Sequence, residues 1–269
     1  MATLLRIPRK SGSRAPQHIR GINRASPLAQ GLEYAWGATH GGFREFVKGA
    51  VVTAQTGTPE GIRPTELGMA LLCDGVDDKY NGGAITIPAI GSLTTVIRKT
   101  GAGQAQNIFI SHTFDNTAGK RMRFRIGSGE AVAASIGSSN TNTVATLTKN
   151  DFYWISMSWD SAGAAAYVNG EVKTSFAISH LFPLNTTVYF GDHITSGHEF
   201  EGNFLFAALH SRQLSAAEHF AMYSPRHRWD IYDQGSRTIF LPEAAAGGGG
   251  FQSAWAANST VTLGAGIAA

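Results

Sequence analysis

The sequence predicts an all-β protein, a sandwich or barrel of short antiparallel strands, and three observations carry that reading. Residues 153–170, YWISMSWDSAGAAAYVNG, alternate apolar with small polar residues up to a turn at Asp160, Ser161, Ala162 and Gly163, resume through Val168 and stop at Asn169-Gly170. That is the spacing of an antiparallel hairpin. Glycine numbers 32 in 269 residues, and charged residues make up only 15%, while stretches with a 3.6-residue period are few; this favours strands joined by tight turns. Turn-forming clusters recur at Asn81-Gly82-Gly83, Gly127-Ser128-Gly129, Ser138-Ser139-Asn140 and Asn169-Gly170, as many short strands require.

Between the turns, strands are predicted at 32–36, 68–73, 84–87, 93–98, 106–112, 121–126, 131–136, 143–147, 152–159, 164–168, 171–178, 187–190 and 200–210. Within 152–159, Tyr153, Ile155, Met157 and Trp159 share one face and Phe152, Trp154, Ser156 and Ser158 the other, so the first set is the stronger core face. Trp154 and Trp159 are expected in the core, Trp36 and Trp229 near the ends of the domain. One helix stands out: in QLSAAEHFAMYS, Ser215 is a natural N-cap, Glu218 three residues on completes a capping box, and Pro225 stops the helix. Cys73 is the only cysteine, so no intramolecular disulfide can form and the fold rests on packing, with Cys73 itself a small core residue.

Composition divides the chain into a basic extended arm (1–30), a globular sandwich (31–240), an Ala/Gly linker (241–250) and a C-terminal peptide (251–269). Arg6, Arg9, Lys10, Arg14, Arg20 and Arg24 all precede the first acidic residue, Glu33, so a net charge of only +3 conceals a strongly basic start. The arm has no aromatic residues interleaved for stacking bases, and nucleic acid is not the expected partner. Beyond the linker, Phe251 and Trp255 would leave a large apolar area in water unless a surface covered them, which makes the tail an expected anchor. No apolar run reaches the roughly 18 residues that span a bilayer, and the start lacks the apolar stretch of a signal peptide. Folding in a reducing cytoplasm, with no membrane partner, is the expectation.

In order along the chain, CDGVDDKY (73–80), FYWISMSWDSAGAAAYVNGEV (152–172) and VYFGDHITSGHEFEGNFLFAALHSRQLSAAEHFAMY (188–223) resemble the concanavalin A-like lectin/glucanase superfamily in its laminin G-like form. Members carry a DGVDDY turn, a W-x-x-V-x-x-x-D strand leading to a Y-V-N-G hairpin, and a terminal strand and helix of the form G-x-I-D-E-V-R-I-Y-N-R-A-L-S-A-A-E. The likeness covers residues 31–229. It implies a jelly-roll-like antiparallel β-sandwich with one short C-terminal helix and extended terminal arms. The arm, the LSAAE helix followed by SPRHRWDIYDQ, and the glycine-spaced tail are together most similar to laminin G-like proteins encoded by tailed bacteriophages and prophages. That likeness rests on the whole arrangement and on no residue with a chemical role.

The resemblance raises three chemical questions. Retaining glucanases need two carboxylates about 5 Å apart, which the enzymes of the superfamily place on one strand as E-x-D-x-x-E. No such run occurs; the nearest pair is Glu199 and Glu201 in HEFEG, at i and i+2 on one face of an extended strand, and a solvated edge accounts for them better than catalysis. No G-x-S-x-G elbow, no phosphate-cradling G-x-x-x-x-G-K and no zinc-type histidine spacing is present, so no catalytic residues are expected. Asp74, Asp77 and Asp78 form an acidic turn: laminin G-like relatives hold calcium at such rims, whereas Asp-Gly-Val-Asp-Asp is equally a tight turn whose carboxylates bond nearby N–H groups, and Lys79 beside it favours the turn.

Two functions fit. The first is a non-enzymatic bacteriophage virion structural protein, made in the host cytoplasm and built into the head, collar or tail, attached to neighbouring virion subunits and to copies of itself in a symmetric assembly. Its anchors would be Arg6, Arg9, Lys10, Arg14, Arg20, Phe251 and Trp255, with repetition on the particle multiplying weak contacts. The second is a receptor for host-surface glycans, holding sugar in the loops 112–120 and 192–199 through Phe114, Asp115, Asp192 and His193.

Overall fold

The structure, a computed structural model, describes residues 3–8, 15, 19, 21–49, 52–56, 61–101, 106–112, 121–127, 129–137, 142–178, 184–191, 198–233 and 236–241. The chain divides into two units, Pro8–Ser236 and Met1–Ile7 with Arg237–Ala269. In the larger unit, one seven-stranded sheet runs in the spatial order β13 (Asn142–Thr146), β12 (Ala131–Ile136), β11 (Arg121–Ile126), β10 (Gln106–His112), β17 (Leu184–Phe190), β8 (Lys79–Ile87) and β5 (Thr53–Thr56). A nine-stranded sheet runs β16 (Glu171–Phe176), β15 (Gly163–Val168), β14 (Phe152–Asp160), β9 (Gly91–Lys99), β18 (Glu201–His210), β3 (Leu32–Thr39) and β4 (Gly42–Glu45), with β7 (Gly68–Asp74) pairing both β18 and β6 (Ile62–Thr65). Pairing is antiparallel throughout both sheets. A short pairing joins β2 (Gly21–Ile22) to β19 (Tyr232–Asp233). In the smaller unit, β1 (Thr3–Pro8) pairs with β20 (Ser236–Leu241).

Alternation along the strands sends one set of side chains between the sheets. Phe109, Phe124, Ile126 and Val132 from the seven-stranded sheet meet Trp36, Ile97, Ile155 and Phe204 from the nine-stranded sheet in one cluster. At roughly 25 cal/mol for each Å² of apolar surface removed from water, this layer is the dominant favourable contribution to folding. A second cluster covers the opposite face of the nine-stranded sheet: Ala35, Val96, Trp154, Phe206 and Ala208 pack under Leu28, Leu214, Met222, Trp229 and Ile231. The middle of the nine-stranded sheet is therefore buried on both sides.

Each strand expected from the alternation is present, with ends displaced by a few residues. Trp36 departs from expectation. It is fully buried at the centre of the inter-sheet core, its ring centroid 5.5 Å from that of Phe190, and its Nε1–H donates to the Gly82 carbonyl at 3.0 Å. The reason is topological: β3 pairs with β18 in mid-sheet and is not peripheral. Cys73 is buried as expected, and burial, helped by the nearby Asp78 and Asp74 carboxylates, pushes its thiol pKa well up.

The helix α1 (Ala216–Tyr223) starts where the capping box places it, with Ser215 Oγ accepting from the Glu218 N–H and the Glu218 carboxylate accepting from the Ser215 N–H. The later part of the basic arm is packed rather than extended. Ala15, Ile19 and Ile22 lie against the outer cluster, and Leu28 and Ala29 are buried in a 3-10 turn capped by Ser26. Apolar side chains recur often enough between 15 and 29 to cover the sheet, a signal that the basic composition hides. Among the described residues, no helix is long and apolar enough to cross a membrane.

Candidate functional site

The acidic turn is built by its own carboxylates. The Val76 N–H donates to Asp74 Oδ1 at 2.8 Å, and the Asp74 N–H donates to Asp78 Oδ2 at 2.8 Å. Each of Asp74, Asp77 and Asp78 offers an oxygen within 4.8 Å of the others. The Val76–Asp74 bond is that of an Asx-turn and the Asp74–Asp78 bond closes the same turn from its far end; calcium, which takes six to eight oxygens, would need donors beyond the one oxygen that each of the three brings together.

Of the two candidate acids, Glu199 precedes β18 and Glu201 begins it, with fully buried Phe200 between them. Glu201 stands opposite Asp74 across the β18–β7 pairing. Its side chain packs over Gly75, where φ is +81° and an added Cβ would come within 2.7 Å of the Glu201 Cβ. The acid that faces Glu201 across the sheet therefore lies on another strand, at the acidic turn. Phe114, Asp115, Asp192 and His193 lie outside the described residues, as do Arg9, Lys10, Arg14, Arg20, Phe251 and Trp255. Arg6 lies in β1.

What the sequence reading missed is a polar network under α1. His219 is 2% exposed, with Nε2 2.8 Å from Ser158 Oγ and Nδ1 2.9 Å from Ser156 Oγ. Ser158 Oγ is also 2.6 Å from Ser92 Oγ, which accepts from the Leu214 N–H and donates to the Arg212 carbonyl. Tyr167 stacks on the imidazole at 3.9 Å. The Ser158–His219 contact has the reach of a nucleophile and its base, yet its chemistry is different. Burial, with the nearby His210 adding to it, holds His219 at a pKa of about 4, too low for an efficient base at neutral pH. The Ser158 hydroxyl has two other acceptors, Ser92 Oγ and the Leu214 carbonyl. The network pins the helix to the sheet. Its signal in the sequence was the pair Ser156 and Ser158 on the less apolar face of β14, two apart and so side by side.

Beside this network, the β14–β15–β16 face and the segment before α1 enclose an open groove of about 570 Å³, lined among others by Asp160, Ala165, Tyr167, Ser175 and Gln213. Arg212 closes off one side of the helix start: its guanidinium holds Glu218 in a two-point ion pair at 2.6 and 3.0 Å and reaches the carbonyls of Gln30 and Pro27. That ion pair, more than any other influence, brings the Glu218 carboxyl down to about 2.

Two facing antiparallel sheets and, among the described residues, one short helix define a lectin-type β-sandwich. The chain belongs to the concanavalin A-like lectin/glucanases superfamily, whose laminin G-type family model matches residues 82–218. Solved structures share the fold at low identity. Domain 4 of AbnA, an extracellular GH43 arabinanase from Geobacillus stearothermophilus solved with arabinotriose, is 13% identical with a TM-score of 0.58; the match covers 72% of this chain and 98% of that domain. Trypanosoma rangeli sialidase, solved with sialic acid, is 11% identical with a TM-score of 0.54, over 72% of this chain and 32% of the enzyme. The binding domain of botulinum neurotoxin serotype D is 13% identical with a TM-score of 0.52, over 72% of this chain and 51% of that one. No curated protein matches the chain in sequence.

Proposed function

We propose that the protein is a non-catalytic structural subunit of a bacteriophage virion, with the sandwich as its body and the two chain ends as its anchors. The observation that carries the reading is the pairing of β1 with β20, which ties the start of the chain to the segment following the sandwich in a unit separate from the body. Such a unit presents main-chain edges, with Arg6 in β1, to neighbouring subunits, the basic residues Arg9, Lys10, Arg14 and Arg20 follow it along the chain, and attachment through strand edges needs little sequence signature. The polar groups under α1 are spent on holding the helix, which supports a body without a reaction centre. Partners are neighbouring virion proteins and further copies of the chain.

The test is addition of purified protein to particles lacking it. The full chain is expected to add, while chains lacking 1–14 or 242–269, which keep the two described cores, are expected to fold and not to add. Truncated chains that add as fully as the intact one would overturn the reading.

A second reading, saccharide binding, is favoured by one observation: the AbnA domain that matches almost end to end was solved with arabinotriose. A saccharide contact on the body is compatible with anchoring through the ends. Saturable binding of a defined sugar to the full chain tests it.

A further inference from the structure

We infer that the groove between the β15–β16 hairpin and the start of α1 is a binding site for a neutral saccharide of one or two rings. The ligand class rests on the saccharide reading above, whereas the place is given by the groove itself, whose described lining includes no residue of 112–120 or 192–199.

Four features carry the inference. The first is size: about 570 Å³ falls within the range of roughly 300–1,000 Å³ typical of small-molecule sites. The second is a floor that suits the apolar face of a sugar ring, with Ala165 next to Tyr167 on the outer face of β15 and Ser175 opposite Ala165 on β16. The third is a set of polar groups with unused capacity. Asp160 Oδ1 accepts from the Ala162 N–H at 2.7 Å, leaving its second oxygen without a partner among the described residues. The Tyr167 hydroxyl, the Ser175 hydroxyl and the Gln213 amide make no side-chain hydrogen bond among them. Together they offer one charged acceptor, one amide and two hydroxyls around an apolar floor, the mixture that fixes a polyhydroxylated ring.

The fourth feature is rigidity and charge. Tyr167 is backed by His219, itself held by Ser156 and Ser158, so the platform is set before ligand arrives and little ordering cost remains. Asp160 is the one charged side chain in the described lining. A carboxylate with no cation beside it accepts from sugar hydroxyls and repels acidic sugars, so the site selects neutral saccharides over those carrying a carboxylate or sulfate.

The experiment is isothermal titration of the full chain with arabinotriose, lactose, cellobiose, maltose and sialic acid, repeated on three variants whose folding is checked by thermal unfolding. Ala165→Trp fills the groove, Gln213→Ala removes the amide, and Asp160→Asn keeps the turn bond to Ala162 while removing the charge. At least one neutral sugar is expected to bind saturably and sialic acid not to bind, with affinity falling about tenfold in Asp160→Asn and Gln213→Ala and lost in Ala165→Trp. Neutral-sugar binding that survives Ala165→Trp overturns the groove and leaves the saccharide reading standing. Preferential binding of sialic acid overturns the selectivity, and no binding of any sugar overturns both.

Discussion

The Lys99 ammonium, on β9 of one sheet, reaches the Glu130 carboxylate in the turn between β11 and β12 of the other. It also donates to the Gly101 carbonyl at 2.8 Å. Lys99 is 0% exposed, so the pair stitches the sandwich together at one end in a place where the ammonium is not tolerated alone. Glu130→Gln leaves the ammonium buried without a counter-charge and is expected to cost about 3–5 kcal/mol, whereas the double variant Lys99→Met/Glu130→Gln removes both charges and is expected to be close to neutral. Urea unfolding of the two variants measures the difference, and equal costs would contradict it.

Acid should loosen the helix face. His219 and His210 are both held at about 4 by burial, below the usual 6.5. Above pH 6.5 folded and unfolded chains are both neutral at these rings and stability is flat. As pH falls from 6.5 towards 4 the unfolded chain takes up protons that the folded chain refuses, so stability declines, by up to about 3 kcal/mol for each ring. The groups facing His219 are Ser156, Ser158 and Tyr167, with His210 and Glu218 acting at longer range. His219→Gln is expected to roughly halve the slope of stability against pH in that window. An unchanged slope would sink the assignment.

The Arg212–Glu218 pair joins three segments: the end of β18, the first turn of α1 and the 3-10 turn at 27–29. Glu218→Gln weakens both the ion pair and the capping box and is expected to cost about 1–2 kcal/mol at pH 7. The lowered Glu218 pKa means that its contribution is present above about 4.5 and fades as pH falls towards 2. Denaturation midpoints of the variant and the parent should therefore converge at low pH.

Glycoside hydrolysis is expected to be absent. Incubation with arabinan should release no reducing sugar, and Glu199→Gln or Glu201→Gln should leave the result unchanged. Release that either substitution abolishes would restore the catalytic reading of these acids.

Much of the fold was readable because alternation is a strong signal in long strands. In 152–159 it placed Ile155, Met157 and Trp159 inward, and the Ser215–Glu218 spacing placed the start of the helix. The short strands GFRE (42–45) and IRPT (62–65) escaped notice since four residues with charge or proline carry no alternation; pairing with β3 and β7 holds them. The second face of β14 was harder still. Ser156 and Ser158 read only as members of the less apolar face, and it is the helix folding back over them that turns them into the partners of His219. The groove escaped for the same reason: Asp160 and Gln213 are 53 positions apart along the chain and meet only once the hairpin and the helix start are side by side.

The β18 strand has a consequence for the order of events during synthesis. It pairs with β3 near the beginning of the chain, with β7 and with β9, so the middle of the nine-stranded sheet stays a gap until residues 201–210 have left the ribosome. Until then β3, β7 and β9 wait with open edges, and nucleation depends on contacts far apart along the chain, which makes maturation slow. The nascent polypeptide is thus most vulnerable to clumping just before its last core strand appears.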